Sequence, residues 1–347
     1  MESGDYMNVQ ELDILNAIRK NPKVNQREIA NQSGYSLGFV NRVVKELQEE
    51  KWLSPTGELS KKAKTFIKEN QPQRAIILAA GFGMRMVPIN TEIPKGLMEV
   101  KGEVLIERMI RHLHEVGITD IQVVVGFMKE RYEYLIDEFQ VKLVVNSEYQ
   151  VKNNLHSLSK VKSSLDKTYI IPCDIWSEEN PFSDFEPYSW YMVTNEQTIE
   201  STVRVNRKRE LVMIDETEEG NQMIGLSYVM GEEATLIQEK LQEFSKKSSY
   251  DHEFWECTLQ DKNKWIIPSK VVNSKQLIEI NTYEQLREID GNSANLQTDA
   301  ISIIQDCFNV EVDEIKNITV LKKGMTNRSF LFECQNQKYI MRIPGEG

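Results

Sequence analysis

The length and charge of the chain limit what it can be. Its 347 residues are 40% hydrophobic and 27% charged, enough to build two or three domains with their own cores. The formal net charge of −11 argues against a surface that binds nucleic acid or anionic lipid throughout, because both need accumulated lysine and arginine. Four widely spaced cysteines without a CxxC pair suggest neither a disulfide framework nor a zinc site. Since no apolar run is long enough to span a bilayer and the acidic start lacks a signal-peptide pattern, we expect a soluble, cytoplasmic protein without membrane insertion.

Residues 1–70 have the pattern of three helices and a short hairpin. Apolar residues recur at helical spacing from Asn8 to Lys20, a second helix is expected between Asn25 and Gly34, and Ser36 can cap a third. A hairpin can follow at residues 51–59, so the region resembles the winged helix-turn-helix domains of bacterial regulators. It carries 11 basic and 10 acidic residues, which is a weak electrostatic footprint for DNA. Its partner can equally be DNA or another protein.

Residues 71–290 alternate short apolar runs with amphipathic stretches. Strands are expected at residues 75–78, 121–125, 143–145 and 169–171, and a helix at residues 105–114. This alternation predicts an α/β domain with a mostly parallel sheet and flanking helices. A polar linker begins at residue 291 and opens a third region that runs to residue 347.

A glycine-rich loop follows the first predicted strand, at the edge of the sheet where open α/β sheets bind their ligands. Arg85 and Lys95 can neutralise phosphate oxygens near this loop. The loop lacks the GxxxxGK[ST] order and the six-residue dinucleotide fingerprint, so both of those nucleotide sites are disfavoured. A tight turn with surface charges is the plain alternative. The residues expected to contact a nucleotide are Leu78, Ala79, Ala80, Gly81 and Gly83.

Three segments together carry a family resemblance. Residues 77–85, the pair Pro94-Lys95 and residues 99–107 resemble the Rossmann-like nucleotidyltransferases that activate sugars and alcohol phosphates. The resemblance implies that Arg85 and Lys95 are catalytic and that Asp174, just after a buried strand, is a catalytic metal ligand.

A further segment narrows the resemblance. Asn153-Asn154-Leu155-His156-Ser157-Leu158 is similar to the NNxxSL segment of bacterial phosphocholine cytidylyltransferases. This similarity implies that Asn154 and Ser157 shape the nucleotide site. An asparagine that caps a surface helix is also plausible and does not exclude that role.

The resemblance also implies a magnesium ion held by Asp174 and by a residue of Ile278-Glu279-Ile280-Asn281. Asn281 stands where the family usually has aspartate, so either Asn281 or Glu279 can be the second ligand. Magnesium prefers oxygen ligands and keeps several waters, so two protein groups and a triphosphate suffice.

The reaction implied is transfer of CMP from CTP to phosphocholine. A quaternary ammonium is best held over aromatic faces with a carboxylate nearby, which makes Trp176, Tyr228 and Trp255 candidate choline contacts. Each can instead be core packing. Two other functions stay open: a sugar-1-phosphate nucleotidyltransferase, and a DNA-binding regulator whose degenerate transferase domain senses a ligand.

Residues 318–347 resemble the first strands of bacterial choline kinases. The turn Gly324-Met-Thr-Asn327 would cover ATP phosphates, and Arg342 would stand where many kinases have a strand lysine. No catalytic loop with Asp and Asn follows, so we expect a truncated kinase N-lobe without phosphoryl transfer of its own. Because a choline kinase makes phosphocholine, this resemblance favours choline over a sugar.

Overall fold

A computed structural model describes residues 7–321 and 327–344 of the protein. In the described ranges, no helix has both the length and the apolar character needed to cross a membrane. The contacts within the chain divide it into two units, each made of two segments: residues 1–72 with 183–188, and residues 73–182 with 189–347.

The first unit contains the helix-turn-helix that the sequence predicts. Asn8, Asn25 and Ser36 are the N-caps of the first three helices. Their side-chain oxygens accept hydrogen bonds from backbone N–H groups of the first turn. The predicted hairpin is reduced to one bridge between Leu53 and Leu59. The helices are α1 (Val9–Lys20), α2 (Gln26–Ser33), α3 (Leu37–Glu49) and α4 (Lys61–Glu69).

Six residues from a later part of the chain, Ser183–Tyr188, complete the first unit. Phe185 is fully buried, and its ring meets that of Phe66 with centroids 6.0 Å apart. The Tyr188 hydroxyl donates a 2.6 Å hydrogen bond to the Asp13 carboxylate. The winged helix unit therefore includes a segment that chain order alone does not assign to it.

A large mixed sheet organises the second unit. The predicted apolar runs form its parallel strands β1 (Arg74–Ala79), β4 (Asp120–Val125), β5 (Lys142–Val145) and β6 (Thr168–Pro172). Between them in the chain lie the short strands β2 (Glu99–Val100) and β3 (Glu103–Val104), which pair with each other. The strands that follow are β7 (Ile175–Ser177), β8 (Trp190–Thr198), β9 (Val203–Val205), β10 (Glu210–Met213), β11 (Gly220–Val229), β12 (Gln260–Asp261), β13 (Lys264–Val272) and β14 (Leu277–Glu279).

The order of the ten-stranded sheet is β5-β4-β1-β6-β11-β8-β13-β10-β9, with β12 paired to β13. The first four strands are parallel, and the antiparallel pairing of β6 with β11 begins the mixed part. β7 and β14 form a separate antiparallel pair directly after β6 and β13. The Rossmann-like α/β fold that the sequence predicts is confirmed.

Helices cover the sheet and lead into a β-rich C-terminal region. The helix predicted at residues 105–114 is α5, whose apolar face is buried as its spacing requires. The helices of this unit are α5 (Leu105–Glu115), α6 (Tyr134–Phe139), α7 (Asn154–Ser159), α8 (Gly231–Phe244), α9 (Tyr283–Ile289) and α10 (Asp299–Phe308).

The last described strands form an antiparallel sheet, β15 (Lys316–Val320), β16 (Asn327–Cys334) and β17 (Gln337–Pro344), which we name the C-terminal sheet. It belongs to the same unit as the transferase strands. Residues 324–326 of the predicted phosphate-covering turn lie outside the described residues. The likeness to a kinase N-lobe, with Arg342 on β17, therefore stays a prediction.

Candidate active site

The glycine-rich loop begins where β1 ends, at the carboxyl edge of the parallel strands. The Ala80 carbonyl accepts a 3.1 Å hydrogen bond from the Phe127 N–H, which ties the loop to the end of β4. Gly126 makes this approach possible, because a Cβ there would lie 2.8 Å from the Ala80 oxygen. Gly81 is exposed, and an added Cβ would meet no described heavy atom within 4 Å. Packing does not require glycine at 81, whereas a phosphate approaching the backbone would.

Asn90 holds the loop from beneath. Its fully buried amide donates hydrogen bonds of 3.1 and 3.0 Å to the carbonyls of Phe82 and Gly83. Gly83 has a φ of 67°, a left-handed conformation that favours glycine. Asn90 was not predicted from the sequence, where its signal is a polar residue directly after the apolar run of residues 86–89.

Three predicted catalytic residues and one metal candidate meet beside this loop. The Lys95 ammonium forms an ion pair with the Asp174 carboxylate and donates a 2.7 Å hydrogen bond to Asn281 Oδ1. The Arg85 guanidinium donates to the same Asn281 oxygen, also at 2.7 Å. Two cations and two oxygen-bearing side chains from four separate segments thus converge, as the family resemblance implies.

Close packing brings Lys95 to Asp174. A Cβ on Gly96 would lie 3.1 Å from both Cys173 Cβ and the Tyr132 hydroxyl, so any other residue would require these neighbours to shift. Burial raises the pKa of the Cys173 thiol to about 12, which keeps it protonated. Cys173 therefore acts as a packing residue beside the site.

A second carboxylate, Glu279, lies close enough to interact electrostatically with this cluster. Burial, with a smaller contribution from the Asp174 charge, raises its pKa to about 7, while Lys95, Asn281 and Arg85 act in the opposite direction. Repulsion between two carboxylates is the situation that a bound cation relieves. The Asp174 Oδ1 atom is buried and lacks a hydrogen-bond partner among the described residues.

These oxygens fit a magnesium ion. Among residues 7–321 and 327–344, no group of three or more His, Cys, Asp or Glu side chains could hold a metal. Asp174, Glu279 and Asn281 offer two carboxylates and one amide instead, a hard oxygen set that suits magnesium shared with a triphosphate.

Asn154 and Ser157, predicted to shape the nucleotide site, are held by protein groups. Asn154 Oδ1 accepts a 2.8 Å hydrogen bond from the Trp255 N–H, and Ser157 Oγ accepts one of 3.0 Å from the buried Asn146 amide. Asn153 caps α7, so the capping role considered for this motif is present one residue earlier. The motif joins α7 to β5 and to the turn before residue 255.

The three aromatic residues predicted to contact choline are buried. Tyr228 and Trp255 are 0% and 1% exposed, and Trp255 packs against Tyr191 with ring centroids 6.2 Å apart. Trp176 is 6% exposed, and the Arg108 guanidinium lies 4.5 Å from its ring centroid. In this structure their rings are core and rim packing.

Glu256, which follows Trp255 directly in the chain, and Tyr191 form a polar pair. The Tyr191 hydroxyl donates a 3.0 Å hydrogen bond to Glu256 Oε1. Glu256 Oε2 is buried without a hydrogen-bond partner among the described residues, although the residue as a whole is only half-buried. Burial raises the pKa of Glu256 to about 7, and the charge of Glu279 adds to this rise. The pair therefore lies within electrostatic range of Glu279, beside the cluster of Lys95, Asp174 and Asn281.

Comparisons with known families identify two domains in the chain. A family of MobA-like NTP transferase domains matches residues 75–177, and a family of winged helix-turn-helix DNA-binding domains matches residues 7–53. The first match spans the loop, Lys95 and Asp174.

Among curated relatives, the choline-phosphate cytidylyltransferase of Streptococcus pneumoniae is 30% identical over 226 residues, which cover 62% of this chain and 96% of that protein. The 2-aminoethylphosphonate cytidylyltransferase of Lancefieldella rimae is 29% identical, covering 62% of this chain and 91% of its own length. The choline-phosphate cytidylyltransferase of Haemophilus influenzae is 24% identical, with 62% and 95% covered.

Solved structures show the same fold. The CTP:phosphocholine cytidylyltransferase of Streptococcus pneumoniae superposes with a TM-score of 0.59 at 27% identity, covering 63% of this chain and 98% of that one. A glucose-1-phosphate thymidylyltransferase described as putative, from Bacillus anthracis, has a TM-score of 0.50 at 18% identity, with 63% and 94% covered, and supports the fold alone. The chain belongs to the nucleotidyltransferase family that includes the choline-phosphate cytidylyltransferases, and it carries a winged helix-turn-helix domain before the transferase domain.

Proposed function

We propose that the protein transfers CMP from CTP to phosphocholine. A phosphate oxygen of phosphocholine attacks the α-phosphorus of CTP, the bond from that phosphorus to the bridging oxygen breaks, and pyrophosphate leaves. Because a phosphate monoester has a second pKa near 6, the attacking group is already anionic at neutral pH and needs no general base. The products are CDP-choline and pyrophosphate.

The protein's part is to align the reactants and to neutralise charge. Lys95 and Arg85 supply two positive charges beside the glycine-rich loop, whose exposed backbone at Gly81 leaves room for phosphates. Asp174, with Glu279 or Asn281, would hold a magnesium ion, which when bound neutralises the developing charge on the phosphates. The ion pair with Lys95 holds the Asp174 carboxylate in place beside the loop.

The observation that carries the choline assignment is the buried Glu256 Oε2 atom, on the carboxylate whose other oxygen accepts from the Tyr191 hydroxyl. A buried carboxylate oxygen without a partner among the described residues is costly unless a cation completes it. A quaternary ammonium cannot donate a hydrogen bond and suits a site made of a carboxylate and an aromatic ring. The names of the relatives from Streptococcus pneumoniae and Haemophilus influenzae support the same substrate. We therefore propose that the ammonium of choline is held at the Glu256 carboxylate, next to the Tyr191 hydroxyl that donates to it. The Tyr191 ring itself, like those of Trp176, Tyr228 and Trp255, is buried packing.

Pyrophosphate release from the purified full chain with magnesium tests the proposal. CTP, UTP, ATP and dTTP are each combined with phosphocholine, phosphoethanolamine, 2-aminoethylphosphonate and glucose 1-phosphate, and the product is identified by mass spectrometry. We expect the highest kcat/KM for CTP with phosphocholine. No turnover of that pair would refute the proposal, and turnover with glucose 1-phosphate alone would establish a sugar-1-phosphate nucleotidyltransferase.

A second candidate function, DNA binding, is favoured by the solvent-facing side of α3. Asn41, Arg42 and Lys45 are exposed there, as in a recognition helix. However, Arg42 and Lys45 lie 3.8 and 3.5 Å from Glu46 and Glu49 on the same helix, which weakens attraction to phosphates. A gel shift with DNA from upstream of the gene, with and without CTP, tests a ligand-sensing regulator. An Arg42→Ala, Lys45→Ala double variant should then lose the shift.

A further inference from the structure

We infer that the C-terminal sheet supports the segments that form the transferase site and that its Arg328 is a positioning residue for the nucleotide-binding loop. The inference rests on the proposed function only for what the loop binds. Its structural basis is independent of the substrate, because it concerns what holds the loop in place.

The C-terminal sheet shares one hydrophobic core with the catalytic segments. Met86, which follows Arg85, and Ile280, which precedes Asn281, are both fully buried. They lie in one cluster with Ile318 of β15 and Phe330 of β16. One chain neighbour of Arg85 and one of Asn281 are thus packed against β15 and β16.

Polar contacts reinforce this packing. The backbone N–H of Ile318 on β15 donates a 2.8 Å hydrogen bond to the Glu284 carboxylate of α9, the helix that begins just after Asn281. β15 also lies against the 3₁₀ turn Met84–Met86, which contains Arg85. β15 therefore supports both the turn that carries Arg85 and the helix that begins just after Asn281.

Arg328 of β16 reaches the loop itself. Its guanidinium carbon lies 4.6 Å from the centroid of the Phe82 ring, a cation–π distance. Phe82 stands between Gly81 and Gly83, and its ring also packs on Phe127 at 4.4 Å. Because glycines on both sides leave the loop backbone permissive, the packed Phe82 ring adds a side-chain anchor to the hydrogen bonds from Asn90 and Phe127, and Arg328 covers that ring.

Substitution of Arg328 tests the inference. Arg328→Met keeps an apolar stem and removes the charge, Arg328→Lys keeps a cation, and Lys338→Met is the matched control on the neighbouring strand, where Lys338 is exposed and pairs with Glu333 at 3.4 Å. The dissociation constant of CTP with magnesium is measured by titration calorimetry. We expect Arg328→Met to raise it roughly threefold to thirtyfold, the range of a cation–π contact. Arg328→Lys should recover most of this loss, and Lys338→Met should match the unmodified protein.

Kinetics and hydrogen exchange separate this inference from the proposed function. In Arg328→Met we expect a raised KM for CTP with kcat within about twofold, since the residue acts through the loop. Amide exchange at residues 80–86 should become faster in Arg328→Met and not in Lys338→Met, whatever substrate the enzyme uses. Unchanged exchange in that segment would overturn the inference even if CDP-choline is made. Faster exchange without any turnover of CTP would instead refute the proposed function alone.

Discussion

The cluster around Lys95 and Asp174 and helix α7 both contain motif residues, but the polar atoms of these residues differ in whether protein groups satisfy their hydrogen bonds. In the cluster of Lys95, Asp174, Glu279 and Asn281, like charges repel and a buried oxygen lacks a partner among the described residues. In α7, Asn154 and Ser157 bond to neighbouring protein groups. Polar atoms left unsatisfied at a strand end indicate a ligand site, whereas satisfied ones indicate a scaffold. Substitutions in the two regions should therefore fail in different ways.

Asp174→Asn should have the largest effect. We expect CDP-choline formation to fall by about 10³-fold, because a carboxylate that would hold the magnesium ion at the phosphates is lost. Folding should persist, since the neutral side chain also removes the repulsion that helps raise the pKa of Glu279. Steady-state kinetics and thermal unfolding measure the two effects. The control is Asp120→Asn, which breaks an ion pair with Arg74 at the opposite end of the parallel strands. Equal activity of the two variants would contradict the role of Asp174.

Gly96→Ala should come next. The added methyl group would press on Cys173 and Tyr132 and push Lys95 away from Asp174. A misplacement of about 1 Å can cost about 10²-fold in rate, so kcat/KM should drop by that order. Gly38→Ala on α3 is the matched control, because its added Cβ would meet no described atom within 4 Å. If Gly96→Ala kept full activity, the close approach of this turn would not matter to catalysis.

Glu256→Gln should separate choline binding from chemistry. We expect about a tenfold rise in KM for phosphocholine with kcat little changed, because a charged partner of the cation is lost. In the unmodified enzyme this KM should fall as the pH rises through about 7, where Glu256 ionises. Glu256→Gln should lose that part of the pH profile. A profile that persists unchanged would assign the titration to another group.

Glu256 should also make the stability of the free enzyme depend on pH. The pKa of the Glu256 carboxyl is raised from 4.5 to about 7 in the folded protein. Below pH 4.5 the group is protonated in both the folded and the unfolded state, so its ionisation does not lower the free energy of unfolding. The stability of the free enzyme therefore decreases as the pH rises from about 4.5 to 7. At pH 8, Glu256→Gln should be more stable by roughly 1 to 3 kcal/mol, and near pH 4 the difference should vanish. Urea unfolding at the two pH values measures this, and equal differences at both would speak against a buried, ionising Glu256.

Asn154→Ala should show the smallest catalytic effect of the set. It leaves the Trp255 N–H without its acceptor, so the free energy of unfolding should fall by about 1 to 3 kcal/mol. Activity at low temperature should decrease by less than tenfold, in contrast to Asp174→Asn. Asn154→Asp, which keeps an acceptor oxygen, should retain most of the stability. A large loss of activity with unchanged stability would move Asn154 from the scaffold to the nucleotide site.

The sequence by itself determined the local structure and the identity of the charged site residues. Asparagine and serine caps set the starts of α1 to α3, and apolar runs bounded by loops predicted β1, β4, β5 and β6, because these signals depend on neighbours in the chain. The family motifs predicted that Arg85, Lys95 and Asp174 belong to one site.

Only the tertiary structure decided which side chains meet. Asn281 lies 186 residues from Lys95 yet accepts its hydrogen bond, and Ser183–Tyr188 completes the winged helix unit from a distant part of the chain. The tertiary structure also gives two neighbours in the chain different surroundings. Glu256 has an oxygen without a partner among the described residues, whereas the Trp255 ring is enclosed by the core. Periodicity reports which face of one element is apolar, but the depth of a side chain depends on what other elements place over it.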